Sequence, residues 1–230
     1  MLCLVAVPCQ LERAGTQVVE TLLYMEHLRS IGDDPGVEVE RALTFSCWLD
    51  LTSSTPTFFT RKWCTGDCDG MGDPDNKNSP GWVMIKGQCA ALEYAGSRPL
   101  NDPLISPLHA DHSLISKLPP LMMLIGGTEI ILSDNIEFGQ LAQGLGAPVQ
   151  VEVFADMWHD FEQESEGCHS ASPLAEGQEA LRVAGEFLSG NSSVRVVSVG
   201  ETTQPGAIRW HYSHNMWPPI GREECKCADC

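Results

Sequence analysis

Two residues of this chain have the chemistry and the setting of an acid–base pair: Glu129 and His159. Glu129 ends the stretch Leu121-Met122-Met123-Leu124-Ile125-Gly126-Gly127-Thr128-Glu129, where a continuous apolar run runs into two glycines and then a carboxylate. His159 ends Met157-Trp158-His159, after a helical pattern and a second apolar run. A histidine can take and return a proton near neutral pH, and a carboxylate beside it orients the ring and stabilises the imidazolium. Such a pair activates a serine hydroxyl for attack on a carbonyl. The acid and the base are present. The expected serine setting, G-x-S-x-G, occurs nowhere in the sequence.

Placing that pair requires strands that end together, and the chain alternates strand and helix patterns. Leu2 to Val7, Ala42 to Trp48, Leu121 to Ile125 and Val149 to Phe154 read as strands, the last with Val149, Val151 and Val153 alternating. Thr16 to Arg29 carries Val18, Val19, Leu22, Leu23, Met25 and Leu28 on or near one helical stripe, and Gly32 stops it. Asp134 to Leu145 is helical through Ile136, Phe138 and Leu141, closing at Gly144 and Gly146. Pro173 to Leu188 turns Leu174, Ala180, Leu181, Ala184, Phe187 and Leu188 inward. Strands separated by helices imply βαβ units, so the fold class is α/β with a parallel sheet. The pattern breaks between Leu51 and Leu118, where Trp82 to Tyr94 holds one helical candidate.

Composition bounds the function. A chain of 230 residues accommodates one α/β domain or two small ones. Its 31 acidic residues against 14 basic ones give a formal net charge of -17, which argues against a nucleic-acid surface. No apolar run reaches the length of a membrane span. The opening Met1-Leu2-Cys3-Leu4-Val5-Ala6-Val7-Pro8 lacks a basic leader region and reads as a strand rather than a signal peptide. Ten scattered cysteines do not make a disulfide scaffold, and a reducing compartment, cytoplasmic by default, is the expectation.

Several blocks together resemble the α/β-hydrolase fold-3 family, the hormone-sensitive-lipase-like carboxylesterases. They are Ser46-Cys47-Trp48-Leu49-Asp50-Leu51-Thr52, Asp102-Pro103-Leu104-Ile105-Ser106-Pro107-Leu108-His109-Ala110-Asp111, Leu118-Pro119-Pro120, residues 126–134, Met157-Trp158-His159 and Glu176-Gly177-Gln178-Glu179-Ala180. They follow the family's order and close to its spacing from about residue 14 to 190. The resemblance implies a parallel-sheet α/β-hydrolase fold and hydrolysis of small carboxylic esters by a serine, with Glu129 as the acid, His159 as the base, and no metal or organic cofactor. Asp134, about one helical turn beyond Glu129, is the alternative acid.

The departures are as specific as the match. The family carries an H-G-G-G oxyanion loop and a G-D-S-A-G nucleophile elbow ahead of the acid. Lining up the helix at Gln17 to Leu28 puts Ala14-Gly15 where the elbow ends, so the serine position holds Arg13, preceded by Glu12. Arginine has no hydroxyl or thiol to carry an acyl group. The chain therefore reads as the fold's C-terminal portion, truncated in its N-terminal half, with residues 1–13 foreign to the family. The expected consequences are an open strand edge that invites self-association, an incomplete oxyanion hole and negligible esterase activity. The alternatives are a non-catalytic ligand-binding protein of the same fold, or an inactive fragment.

Residues 1–190 then form the hydrolase domain, with a cap or insertion around 53–100, and residues 191–230 a tail of unsettled order. Asp50 reads as a turn cap and Asp102 as a loop-fixing residue. Asp67, Asp69, Asp73 and Asp75 read as a solvated acidic loop, because Asn78 stands where an EF-hand needs its final carboxylate. Cys64 and Cys68 lack a second ligand pair at zinc-finger spacing. Cys225, Cys227 and Cys230, with His211 and His214, read as a redox-exposed tail in preference to a soft-metal site. Asn191-Ser192-Ser193 matches a glycosylation sequon, which matters only in a secreted chain.

Overall fold

The apolar runs become strands because both of their faces are covered. A computed structural model describes residues 3–5, 14–60, 91–166, 173–190 and 208–211. In it β1 (Cys3–Val5), β2 (Arg41–Phe45), β3 (Leu121–Gly126), β4 (Val149–Phe154) and β5 (Ile208–His211) form one sheet in that spatial order. Every pairing is parallel. Along β3 and β4, Leu121, Met123, Ile125, Val149, Val151 and Val153 pack on one face with Val19, Leu22 and Phe138 of the helices. Met122, Leu124 and Phe154 pack on the other with Ala180, Val183 and Phe187. A strand buried on both sides has no polar face to display, so its sequence reads as an unbroken apolar run.

Among the described residues three long helices cover the sheet: α1 (Ala14–Ser30), α2 (Leu132–Gly144) and α3 (Ala175–Leu188). Gly32, at φ +83°, ends α1, and Asp33 N donates to Leu28 O at 3.0 Å. The α/β architecture with a parallel sheet expected from the sequence is the one found. Two helix faces differ from expectation. In α2 the buried side is Leu132, Asp134, Asn135, Phe138, Gly139, Ala142 and Gln143, with Ile136 and Leu141 only partly buried. Periodicity of apolar residues missed this face because its polar members have interior partners. Asn135 Nδ2 donates to Cys47 O at 2.8 Å, and Gln143 Nε2 donates to Val149 O at 2.7 Å. In α3, Leu181 is exposed, and Gly177 is buried where its backbone lies against Phe161 and Ser165.

The register decides where the site falls. Phe45 of β2 lies opposite Leu124, and Gly126 of β3 lies opposite Phe154 of β4. Strands β3 and β4 therefore end level, with β2 ending two residues short of them, and the loops leaving all three start from one edge of the sheet. Among the described residues, β1 pairs only with β2.

Strand β5 lies inside the segment whose order the sequence leaves unsettled. It pairs with β4, whose Gln150 and Glu152 look solvent-facing in the sequence but are buried. Glu152 is held by His211 Nε2 at 2.5 Å and by Arg209 Nη1 at 3.2 Å. A buried carboxylate is tolerable when paired in this way. His211 also stacks on Phe154, so of the proposed tail ligands it is already engaged. The acidic loop at 67–75, Cys64, Cys68, His214, Asn191, the terminal cysteines and Arg13 lie outside the described residues. Residues 91–95 are helical, which covers the end of the Trp82 to Tyr94 candidate.

Candidate active site

Two glycines bring the loops after β3 and β4 into contact. A Cβ on Gly126 would sit 2.5 Å from the carbonyl oxygens of Met157 and Trp158, and one on Gly127 would sit 2.9 Å from Ala155 Cα. Only residues without a side chain let the backbones approach this closely. The loops then bond along their length. Gly127 N donates to Phe154 O at 2.7 Å, Thr128 N to Met157 O at 3.0 Å, and Thr128 Oγ1 to the same carbonyl at 2.6 Å.

This contact carries Glu129 to His159. His159 Nδ1 lies 2.8 Å from Glu129 Oε2. Because a carboxylate only accepts, Nδ1 carries the proton and Nε2 is the basic nitrogen. Nε2 is 3.5 Å from Asp160 Oδ2. The Glu129 side chain is fully buried and that of His159 is 15% exposed, with its Nε2 itself shielded from solvent. Desolvation strengthens such a charge-assisted bond.

A third residue, which spacing and composition do not single out, completes the cluster. Ser46 follows β2, and its hydroxyl donates to Glu129 Oε1 at 2.8 Å. The same oxygen of Glu129 accepts from Gly126 N at 2.6 Å. Ser46 Oγ in turn accepts from Asp160 N at 3.3 Å. Ser46, Asp156 and Asp160 all have positive φ, at 44°, 59° and 54°. Non-glycine residues seldom adopt this region without a local reason. The sequence signal for Ser46 is that it opens the resemblance block Ser46-Cys47-Trp48-Leu49-Asp50-Leu51-Thr52, which marks it without giving it a role.

Asp134 is brought elsewhere. Its buried carboxylate accepts from Asp50 N at 3.1 Å and from the Thr55 hydroxyl, so it braces the loop after β2. Burial pushes its carboxyl well above the ordinary range, against the hydrogen bond from Thr55. Asp50 caps a turn, accepting from Thr52 N at 3.0 Å and Ser54 N at 2.9 Å, and it pairs with His109 Nε2 at 2.9 Å. Burial raises its carboxyl, but hydrogen bonds from Ser54, Thr52 and His109 outweigh it and hold Asp50 below the usual range. Asp102 accepts from Leu104 N at 2.9 Å and bonds Arg98, fixing a loop.

Two further groups bear on the chemistry. The Cys47 thiol is buried and pushed up to about 12, chiefly by desolvation, so it is no thiolate nucleophile. Glu162 is 4% exposed, and no neighbouring side chain bonds either of its carboxyl oxygens. Burial first, then the charges of Asp160 and Glu129, push this carboxyl up to about 8. The start of α1 also meets the loop after β2. A Cβ on Gly15 would lie 2.8 Å from both Cys47 Sγ and Phe45 O, and Thr16 Oγ1 donates to Trp48 O at 2.8 Å. Among the described residues no set of His, Cys, Asp and Glu is grouped to hold a metal ion, and no helix is long and apolar enough to cross a membrane.

Known proteins of similar sequence and fold are hydrolases by name. A family model described as alpha/beta hydrolase fold matches residues 71–163. The chain is 37% identical over 95 residues to the acetyl-hydrolase of Streptomyces hygroscopicus, a match covering 41% of this chain and 28% of that protein. It is 34% identical over 62 residues to the hormone-sensitive lipase of Bos taurus, covering 27% and 8%. A solved esterase from the bacterial hormone-sensitive lipase family superposes with a TM-score of 0.56 at 29% identity, covering 74% of this chain and 48% of that one. An esterase/lipase from an uncultured bacterium gives 0.56 at 25% identity, covering 77% and 50%. The chain thus spans about half the length of these solved structures and less of the two curated relatives. In its fold, its matched segment and these relatives, the chain is similar to the α/β-hydrolase fold-3 family of hormone-sensitive-lipase-like proteins.

Proposed function

We propose that this chain carries the acid–base half of an ester-cleaving serine-hydrolase site, with His159 as the base and Glu129 as the residue that orients it. The 2.8 Å contact between His159 Nδ1 and the sealed Glu129 carboxylate carries the reading. With Nδ1 committed to Glu129, Nε2 takes the proton of a serine hydroxyl as it attacks the ester carbonyl. It then returns that proton to the leaving alcohol, while Glu129 stabilises the imidazolium formed between the two steps. The relatives named acetyl-hydrolase and esterase support a small carboxylic ester as substrate. The chemistry calls for no metal or organic cofactor.

The nucleophile has to be supplied. The sequence holds no G-x-S-x-G, Ser46 is buried and bonded to the acid, and Cys47 is held protonated. The chain by itself is therefore expected to resist a fluorophosphonate probe and to leave p-nitrophenyl acetate at the background rate. Joined to the preceding half of a family esterase that carries H-G-G-G and G-D-S-A-G, a folded hybrid is expected to label and turn over. His159→Ala should remove both activities, and a folded hybrid equally active without His159 sinks the reading. A non-catalytic, ligand-binding protein is the second reading, favoured by Arg13 at the elbow's serine position. It predicts saturable binding of an ester analogue by the chain alone, without turnover.

A further inference from the structure

Glu129 has one more rotatable bond than aspartate, so a catalytic glutamate needs its carboxylate pinned if one oxygen is to stay on the imidazole. The structure provides two donors for the other oxygen: Ser46 Oγ at 2.8 Å and Gly126 N at 2.6 Å, both on Oε1. That leaves Oε2 to His159. We propose that Ser46 is the positioning residue of this pair, its hydroxyl turning the Glu129 carboxylate so that Oε2 faces His159 Nδ1. The inference rests on the acid–base reading above and adds a residue to it.

The placement of Ser46 favours this role over a turn-forming one. Its hydroxyl touches the loops that leave β3 and β4, donating to Glu129 and accepting from Asp160 N at 3.3 Å. Its own amide is tied to Leu124 O at 2.9 Å, so the hydroxyl is presented from a fixed backbone. The residue is 4% exposed, and water does not compete for these bonds. At φ 44° glycine would satisfy the backbone better than serine. A serine here keeps an unfavourable conformation together with its hydroxyl, and the hydroxyl is what contacts the acid.

The test is the low-field Nδ1 proton of His159, read by NMR on the full 15N-labelled chain together with its exchange rate. Ser46→Gly relieves the backbone and removes the hydroxyl; Ser46→Thr keeps the hydroxyl and crowds the backbone further. The resonance is expected in the parent chain and in Ser46→Thr, and is expected to broaden or vanish in Ser46→Gly and Ser46→Ala, each checked for native methyl dispersion. Survival of a sharp resonance in folded Ser46→Gly or Ser46→Ala overturns the proposal, as does its loss in folded Ser46→Thr. Glu129→Ala, which removes the acceptor, separates the two claims. If the resonance is absent from the parent chain or survives in folded Glu129→Ala, the acid–base reading itself fails.

Discussion

Glu162 offers the largest quantitative test of the electrostatics around His159. Its carboxyl is buried, bonded by no neighbouring side chain, and pushed from an ordinary 4.5 up to about 8. Folding therefore favours the protonated form. Between pH 4.5 and about 8 the folded chain holds a proton that the unfolded chain has released, so stability falls as the pH rises. The contribution is fully present below 4.5 and is lost as the pH passes through the folded value near 8. The interval from 4.5 to about 8, at about 1.4 kcal/mol per pH unit, corresponds to about 5 kcal/mol. For a domain whose whole stability is about 5–15 kcal/mol that is a large share. Glu162→Gln removes the proton-linked loss while keeping the shape. Urea unfolding of both proteins at steps between pH 4.5 and 8.5 measures the difference, in which groups common to both cancel. The curves are expected to meet near pH 4.5, with the glutamine variant about 3–5 kcal/mol more stable at pH 8.5. Parallel curves across this range would refute the reasoning, because they would mean that Glu162 ionises in the folded chain as it does in the unfolded one.

Other expectations follow from the packing. Gly139→Ala should destabilise the chain by about 1–3 kcal/mol in urea unfolding, although alanine is the better helix former, because its Cβ would fall 2.4 Å from Val151 Cγ2, on a stiff β-branched side chain. A neutral or stabilising result would mean that α2 can lift from β4 at little cost. Asp50→Asn should cost about 1–3 kcal/mol at neutral pH, since Thr52, Ser54 and His109 lose a charged acceptor. That difference should shrink on acidification, because the contribution of Asp50 is present above 3.8 and is lost as the pH falls through its lowered folded value. A constant difference down to acid pH would count against it. With pairing on one side only among the described residues, β1 is expected to promote self-association. Size-exclusion chromatography over a dilution series should show concentration-dependent elution, and a monomer throughout would contradict this.

The sequence by itself carried the α/β class, the placement of four strands and three helices, and the two residues proposed as acid and base. These are legible because they are local. A strand covered on both faces must be apolar throughout, a helix end takes glycine, and Gly126-Gly127 ahead of a carboxylate marks a tight exit from a strand. The distance from Glu129 to His159 in the chain is likewise the length of one helix and one strand. The remaining features depend on residues far apart in sequence meeting in space. Ser46 and Glu129 are 83 positions apart, and Ser46 and Asp160 are 114. No periodicity in either neighbourhood records that they touch. Gln150 and Glu152 look like a solvated face until β5 pairs with β4 and closes over them. The buried polar side of α2 is invisible to a hydrophobic pattern because its partners are carbonyls in other elements. Tertiary structure alone decided which polar groups lost their water, and with it which of them bond, titrate abnormally or hold the imidazole in place, since desolvation depends on everything packed around a residue and not on its neighbours in the chain.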